Sequence, residues 1–132
     1  MQGSLTNKDD RIFTSTDESM AAMLAHGLTL PEAWEDHPWG ETVLKVRKKV
    51  FVFLNGSKQG IFAMSVKLPR SAEFALLHPF ASKTGYGLGN SGWVTCEFRD
   101  GDDIPVDMLI EWMEQSYGAV APKKLAAPVP ES

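Results

Sequence analysis

The side chains best suited to acid–base or metal chemistry are three neighbours, Glu35, Asp36 and His37. A carboxylate beside an imidazole is a donor set that a zinc ion or a proton-transfer step can use. A metal site also needs a third ligand at useful spacing, and the sequence offers none there. The H-E-x-x-H, G-x-S-x-G and C-x-x-C motifs do not occur in the chain. We therefore predict no catalytic residues, no metal and no cofactor, and expect a protein that is not an enzyme.

Gly87, Gly89 and Gly92 match the G-x-G-x-x-G pattern of dinucleotide-binding folds. In those folds a helix follows the glycines, and its N-terminus receives the pyrophosphate. Here the alternating residues after Gly92 predict a strand, so we interpret the glycines as part of a loop. The lone Cys96 lies in that strand with no histidine or basic residue nearby in sequence. This setting favours a buried structural thiol over a nucleophile.

Basic residues are concentrated in one stretch of an acidic chain. Residues 41–70 contain seven lysines or arginines and one acid, Glu41, whereas the whole chain has a net charge of −4. Basic side chains neutralise phosphates and release counterions, so this stretch predicts weak, salt-sensitive binding to DNA. A solvated hairpin face is the alternative, and acidic residues 97–103 would oppose DNA binding if they interrupted the basic surface. The predicted nucleic-acid-binding residues are Lys45, Arg47, Lys48, Lys49, Lys58 and Lys67.

Three aromatic residues, Trp39, Tyr86 and Trp93, predict a second kind of site. Aromatic rings beside a few cations form recognition patches for proteins or small anionic ligands. Trp93 is also suited to stacking on an unpaired base. Structural interpretations are equally open: Trp93 packs against the chain's tail or the loop 81–91, and Pro38-Trp39-Gly40 anchors the loop that enters the sheet.

Periodicity and capping signals indicate which elements position these residues. Ser15 and Glu18 form a capping box, which starts a helix that Gly27 ends. Residues 61–68 alternate between apolar and small or polar side chains, as a half-buried strand does. The predicted element order is helix, three strands, helix, two strands and helix. This order predicts an α+β fold of two layers, with an antiparallel sheet and helices on one of its faces. The predicted bounds are helices at 15–26, 72–78 and 105–117, and strands at 42–46, 50–54, 61–68, 84–86 and 92–98.

The other face of this sheet is expected to be open to water, with Lys45, Lys67 and Trp93 on it. Ser116 and Tyr117 end the last helix, where we expect the tyrosine to pack inward and the serine hydroxyl to bond a backbone carbonyl. In one interpretation, the two lysines at 123–124 then lie near the open face and add to its positive charge.

Length and composition indicate one domain. The chain has 132 residues, 43% hydrophobic and 23% charged, as in an ordinary globular domain. We predict a disordered N-terminus at 1–13, a single domain at 14–122 and a flexible tail at 123–132. No apolar run is long enough to cross a membrane, and the first residues lack the apolar core of a signal peptide. The single cysteine suits a reducing compartment, so we expect a cytoplasmic protein.

Several short motifs in order resemble the MmcQ/YjbR-like family. The resemblance covers about residues 28–124, and no single motif is diagnostic. The matching stretches are Leu30-Pro31, Glu35 leading to Pro38-Trp39-Gly40, Leu44-Lys45-Val46, Ser65-Val66-Lys67-Leu68, Gly92-Trp93-Val94, Ser116-Tyr117 and Val120-Ala121-Pro122-Lys123-Lys124.

The resemblance implies a two-layer α/β fold of the secretion-chaperone-like type. Members have been proposed to bind DNA through two hairpin wings. Carried over to this chain, the first wing spans Lys45 to Phe51 and the second spans Asn55 to Gly60. The first turn is more basic than the usual glycine-containing version, which favours contact with an anion. The resemblance also implies a pairing role for Glu35, with Lys45 or Lys67 as its partner.

Overall fold

A six-stranded antiparallel sheet, covered by helices on one face, forms the frame of the molecule. The computed structural model describes residues 11–56 and 60–126. The strands are β1 (Ile12–Phe13), β2 (Ala33–Asp36), β3 (Thr42–Val46), β4 (Lys49–Gly56), β5 (Ile61–Lys67), β6 (Ala81–Lys83), β7 (Trp93–Arg99) and β8 (Ile104–Pro105). The α-helices are α1 (Thr16–Gly27), α2 (Ala72–Ala75), α3 (Val106–Val120) and α4 (Lys123–Ala126).

The strand order in the main sheet is β2-β3-β4-β5-β7-β6, and every neighbouring pair is antiparallel. β1 and β8 form a separate two-stranded pair. The α+β class, the antiparallel sheet and the placement of the helices on one face are therefore confirmed. The predicted capping box is also present, because the Ser15 hydroxyl accepts a hydrogen bond from the Glu18 amide at 3.1 Å.

Alternation along the central strands separates the two faces of the sheet. Leu54, Met64 and Cys96 face each other across neighbouring strands and belong to the core beneath the helices. Lys45 and Trp93 lie on the opposite face, as the alternation predicts. Val46 is buried under the helices as well, on the same face as Leu44 two residues earlier. The register shift opposite Leu44 and Lys45 leaves Phe51 as an extra residue in β4.

The described residues next to each end of the predicted domain form secondary structure that the sequence does not predict. Ile12 and Phe13 pair with β8, so the predicted disorder over residues 1–13 is wrong from Ile12 onward. Residues 1–10 lie outside the described residues. Lys123–Ala126 forms α4 and Ala126 is buried, which corrects the first part of the predicted flexible tail. Residues 127–132 lie outside the described residues too.

Two edge strands differ from the prediction. β2 lies where the sequence predicts a loop. Its Ala-Trp-Glu-Asp sequence shows no apolar alternation, because β2 is an edge strand that pairs on one side only. The expected strand at 84–86 is wrong, since β6 forms three residues earlier, at Ala81–Lys83. The helix predicted at 72–78 is shorter and ends at Ala75.

The two hairpin turns of β3, β4 and β5 lie at opposite ends of the sheet. The β3–β4 turn is Arg47-Lys48, and the β4–β5 connection runs between Gly56 and Gly60. β4 has eight residues, which at roughly 3.3 Å each separate the two ends by about 26 Å. We call the end that contains Arg47-Lys48 the hairpin end, and the other the distal end. No helix in the described ranges is long and apolar enough to cross a membrane.

Candidate anion-binding surface

The β3–β4 turn has only two residues, and its first residue adopts an uncommon backbone. Arg47 has a φ of 56°, in the left-handed region that costs a non-glycine residue roughly 1–2 kcal/mol. Two contacts hold it there: the Trp34 indole Nε1 donates to the Arg47 carbonyl at 2.9 Å, and the Arg47 Nε donates to Glu32 at 3.1 Å. The turn is therefore attached, through Arg47, to the start of β2 and the residue before it.

Two of the predicted phosphate-binding cations are already paired within the protein. The Lys45 ammonium lies 2.7 Å from Asp36 Oδ2 and 5.2 Å from the centre of the Trp34 ring. The hydrogen bond from Lys45 holds the pKa of Asp36 below its ordinary value, and the His37 amide adds to that effect. Arg47 is paired with Glu32. These two cations therefore offer less free charge to a partner than their sequence position suggests.

Lys48 and Lys49 differ from those cations, because both side chains are exposed and form no ion pair with another described residue. They line a half-open groove of about 590 Å³ between the hairpin end and the end of α3. Lys123, at the start of α4, lines the groove as well. Its floor and remaining walls are Val46, Arg47, Ala119, Val120, Ala121 and Pro122.

The chain forms this groove because α3 stops at Val120. Ala121 is extended, with φ −71° and ψ 153°, and Pro122 has no amide hydrogen to continue the helix. The chain turns there and restarts as α4, which brings Lys123 to the groove that Lys48 and Lys49 also line. Cations from residues more than seventy positions apart in sequence thus meet at one surface.

The remaining predicted cations lie elsewhere. Lys67 is half-buried at the hairpin end of β5, on the sheet face opposite the helices, and is not part of the groove. Lys58 lies outside the described residues. The described members of the predicted set therefore do not form one surface. Arg47, Lys48 and Lys49 line the groove together, and Lys123 joins them.

Acidic side chains are collected at the distal end. Glu97, Asp102 and Asp103 line a second cavity of about 410 Å³, together with aromatic and proline side chains. Glu97 lies in the last part of β7 and the two aspartates follow that strand, whose first residue, Trp93, lies at the hairpin end beside Lys67. Acidic residues 97–103 therefore do not interrupt the groove.

The three predicted aromatic ligand-binding residues do not form a patch. Trp93 points to the face away from the helices but is only 8% exposed, with its ring 5.3 Å from that of Phe53. The expectation of an open, stacking Trp93 is therefore wrong. Its ring contact is with Phe53 of β4, whereas the structural alternative named the tail or the loop 81–91. Trp39 and Tyr86 are fully exposed, but Trp39 precedes β3 at the distal end and Tyr86 precedes β7 at the hairpin end.

The residues considered for catalysis have structural partners. Glu35 Oε2 lies 2.9 Å from His37 Nε2, so the expected pairing of Glu35 with Lys45 or Lys67 is wrong. His26 Nε2 lies 2.9 Å from Glu114 Oε2, between α1 and α3. Burial raises the pKa of the Cys96 thiol to about 12, which keeps it protonated and unreactive at neutral pH. Within 11–56 and 60–126, no three His, Cys, Asp or Glu side chains are grouped as metal ligands.

Sequence reasoning missed two parts of this surface. Trp34, which fixes the turn through Arg47, lies in a segment that was expected to be a loop. The sequence indicated the contribution of Lys123 only in part, through the basic pair that follows the proline after the last helix. Its position beside the hairpin, on the helix side of the sheet, depends on where α3 packs and has no local signature.

Comparison with known proteins gives one family. The YjbR family model matches residues 28–119, which include β2 to β7 and nearly all of α3. The match contains the hairpin and ends just before Lys123. A comparison with curated proteins returned no match. Because the matched range covers most of the chain, this protein belongs to the YjbR family.

Proposed function

We propose that this protein is a non-enzymatic binding protein that holds the phosphates of DNA at its hairpin end. The observation that supports the proposal most is the convergence of Lys48, Lys49 and Lys123 on one groove. Each of these cations is exposed and lacks an acidic partner among the described residues. A cluster of free lysines is the feature that attracts a polyanion and displaces its counterions.

The number of free cations sets the strength of the proposed binding. Three phosphate contacts predict a slope of about −2.7 when the logarithm of the association constant is plotted against that of the salt concentration. Raising salt from about 50 to 200 mM then weakens binding by roughly 40-fold. We expect a dissociation constant of about 10⁻⁴ to 10⁻⁶ M at physiological salt, as in non-specific DNA binding.

The geometry favours contact with the phosphate backbone over reading of the bases. Only one of the two turns, Arg47-Lys48, lies beside the groove, while the β4–β5 connection begins and ends about 26 Å away. A short lysine-bearing turn gives positioning contacts, whereas base reading needs a helix or ribbon seated in a groove of the duplex. We therefore propose binding without sequence preference, through one wing.

A binding role is supported by the state of the titratable side chains. Within the described residues, His26 and His37 each lie beside a glutamate, and the thiol of Cys96 is buried with a raised pKa. None of these groups lines the basic groove. The groove therefore offers charge and shape, and the proposal needs no reacting group.

The test is fluorescence anisotropy of labelled duplex and single-stranded DNA, titrated with the protein at about 50 and 200 mM salt. The variant K48Q/K49Q removes two charges from the groove. Its matched control, R11Q/R99Q, removes two exposed charges, one beside the N-terminal end of α3 and one at the end of β7. We expect the first variant to weaken binding and flatten the salt dependence, and the control to bind as the wild type does. Equal loss in both variants, or no binding at the lower salt concentration, would overturn the proposal.

A further inference from the structure

The groove at the hairpin end has an apolar part that binding to DNA does not use. Ala119, Val120, Ala121 and Pro122 form one side of it, and Val46 contributes from the end of β3. Phosphate contacts engage the lysine ammonium groups at the rim, and a hydrated sugar–phosphate backbone gains little from an apolar wall. The floor therefore indicates a second ligand class.

The size and composition of the groove are those of a small-molecule site. Its volume of about 590 Å³ lies within the range of roughly 300–1,000 Å³ that is typical of ligand pockets. Such pockets combine a mainly apolar lining with a few polar groups that orient the ligand. Here the charged side chains among the described lining residues are all cationic, namely Arg47, Lys48, Lys49 and Lys123.

The described residues give the groove a net positive charge, even when the helix end and the Arg47 ion pair beside it are included. The C-terminal end of α3 places about half a negative charge near Val120. Arg47 is paired with Glu32. Lys48, Lys49 and Lys123 still outweigh the helix end, so the net field at the rim favours an anion over a cation.

We infer that this groove binds a small amphiphilic organic anion, with a carboxylate at the lysine rim and an aliphatic chain along the floor. This inference does not rest on the proposed DNA binding, since the floor, which DNA leaves unused, supplies much of the affinity. Each additional methylene group buried on the floor tightens binding by about threefold to fourfold. Chain length and charge sign thus become separate determinants of affinity.

The first experiment is a titration of ¹⁵N-labelled protein with hexanoate, octanoate and decanoate below their micelle concentrations, followed by amide chemical shifts. We expect the shifts to be concentrated at residues 46–49 and 119–123, with affinity rising about threefold per methylene. Decyltrimethylammonium, which has the same chain and the opposite charge, should bind at least tenfold more weakly than decanoate. Equal binding of the two probes, or shifts concentrated elsewhere, would overturn the inference.

Two variants separate this inference from the proposed function. Ala119 is exposed, so Ala119→Trp fills the floor without removing charge, and an unchanged circular dichroism spectrum verifies its fold. We expect it to weaken decanoate binding at least tenfold while DNA affinity stays within twofold. K48Q/K49Q should weaken binding of both ligands, and R11Q/R99Q should weaken neither. Unchanged decanoate affinity in Ala119→Trp would overturn the inference alone, whereas absent DNA binding with decanoate binding intact would overturn only the proposed function.

Discussion

The Ser116 hydroxyl on α3 donates a hydrogen bond to the carbonyl oxygen of Phe51 at 2.6 Å. The Ser116 hydroxyl oxygen in turn accepts a hydrogen bond from the Lys67 amide at 2.8 Å. β4 and β5 pair directly from Val52 and Val66 onward. Next to that pair, Ser116 connects Phe51 of β4 to Lys67 of β5 through its two hydrogen bonds. The fully buried serine thus joins the helix to both strands that lead to the hairpin end.

We predict that Ser116→Ala destabilises the protein by about 1–3 kcal/mol, because it leaves a buried carbonyl and a buried amide without partners. Urea unfolding followed by circular dichroism measures this loss as a lower free energy of unfolding. Ser82→Ala is the control, since Ser82 is exposed on the edge strand β6. A Ser116→Ala protein as stable as the Ser82→Ala protein would contradict the role of the hydroxyl.

The glycines that match a dinucleotide-binding pattern have a structural explanation at Gly92. Its φ of 90° lies in the left-handed region, and an added Cβ would come within 3.0 Å of the Pro69 backbone. We predict that Gly92→Ala lowers the free energy of unfolding by at least about 1–2 kcal/mol. Gly85→Ala is the matched control, because the space around Gly85 is open. Similar thermal unfolding midpoints for the two variants would refute this explanation.

Lys45 and Lys48 are three residues apart in sequence but differ in what they offer to a polyanion. Lys45 is paired with Asp36 on the sheet face away from the helices, whereas Lys48 lies at the groove without an ionic partner among the described residues. We predict that Lys48→Gln makes the salt slope of DNA binding less negative by about 0.9, the value for one phosphate contact. Lys45→Gln should leave the slope unchanged. Anisotropy titrations at four salt concentrations measure both slopes, and equal changes would show that Lys45 also contacts DNA.

Asp100 makes the stability of the N-terminal end of α1 depend on pH. Its Oδ1 accepts hydrogen bonds from the Thr16 amide at 2.9 Å and from the Thr16 hydroxyl at 2.8 Å, which lower the pKa of Asp100 from its ordinary value of 3.8. A lowered folded-state pKa gives a stabilisation that is present above the unfolded-state pKa and is lost as pH falls through the folded-state pKa.

We therefore predict that Asp100→Ala lowers the urea midpoint at pH 7, and that the difference from wild type disappears as pH falls below 3.8. Asp103→Ala serves as the control for removing an exposed carboxylate from the same turn. A difference that stays constant down to pH 2 would mean that the Asp100 charge does not stabilise the helix start.

Much of the fold follows from local patterns in the sequence. The alternation over 61–68 and the capping box at Ser15 predict a strand and a helix, because the period of the side chains and the unpaired amides of a helix start are local properties. The sequence does not predict β2, because its side chains show no alternation between apolar and polar residues. It forms through pairing with β3, where Glu35 lies opposite Leu44.

The candidate site was only partly predictable for the same reason. The sequence by itself determined that a basic turn joins two strands, that Lys45 and Trp93 point away from the helices, and that Ser116 bonds a backbone carbonyl. Only the tertiary structure decided that Trp93 is covered and that Lys123 reaches the groove beside Lys48. Burial and charge pairing depend on which distant segments come together, and those distances are set by packing of the whole chain.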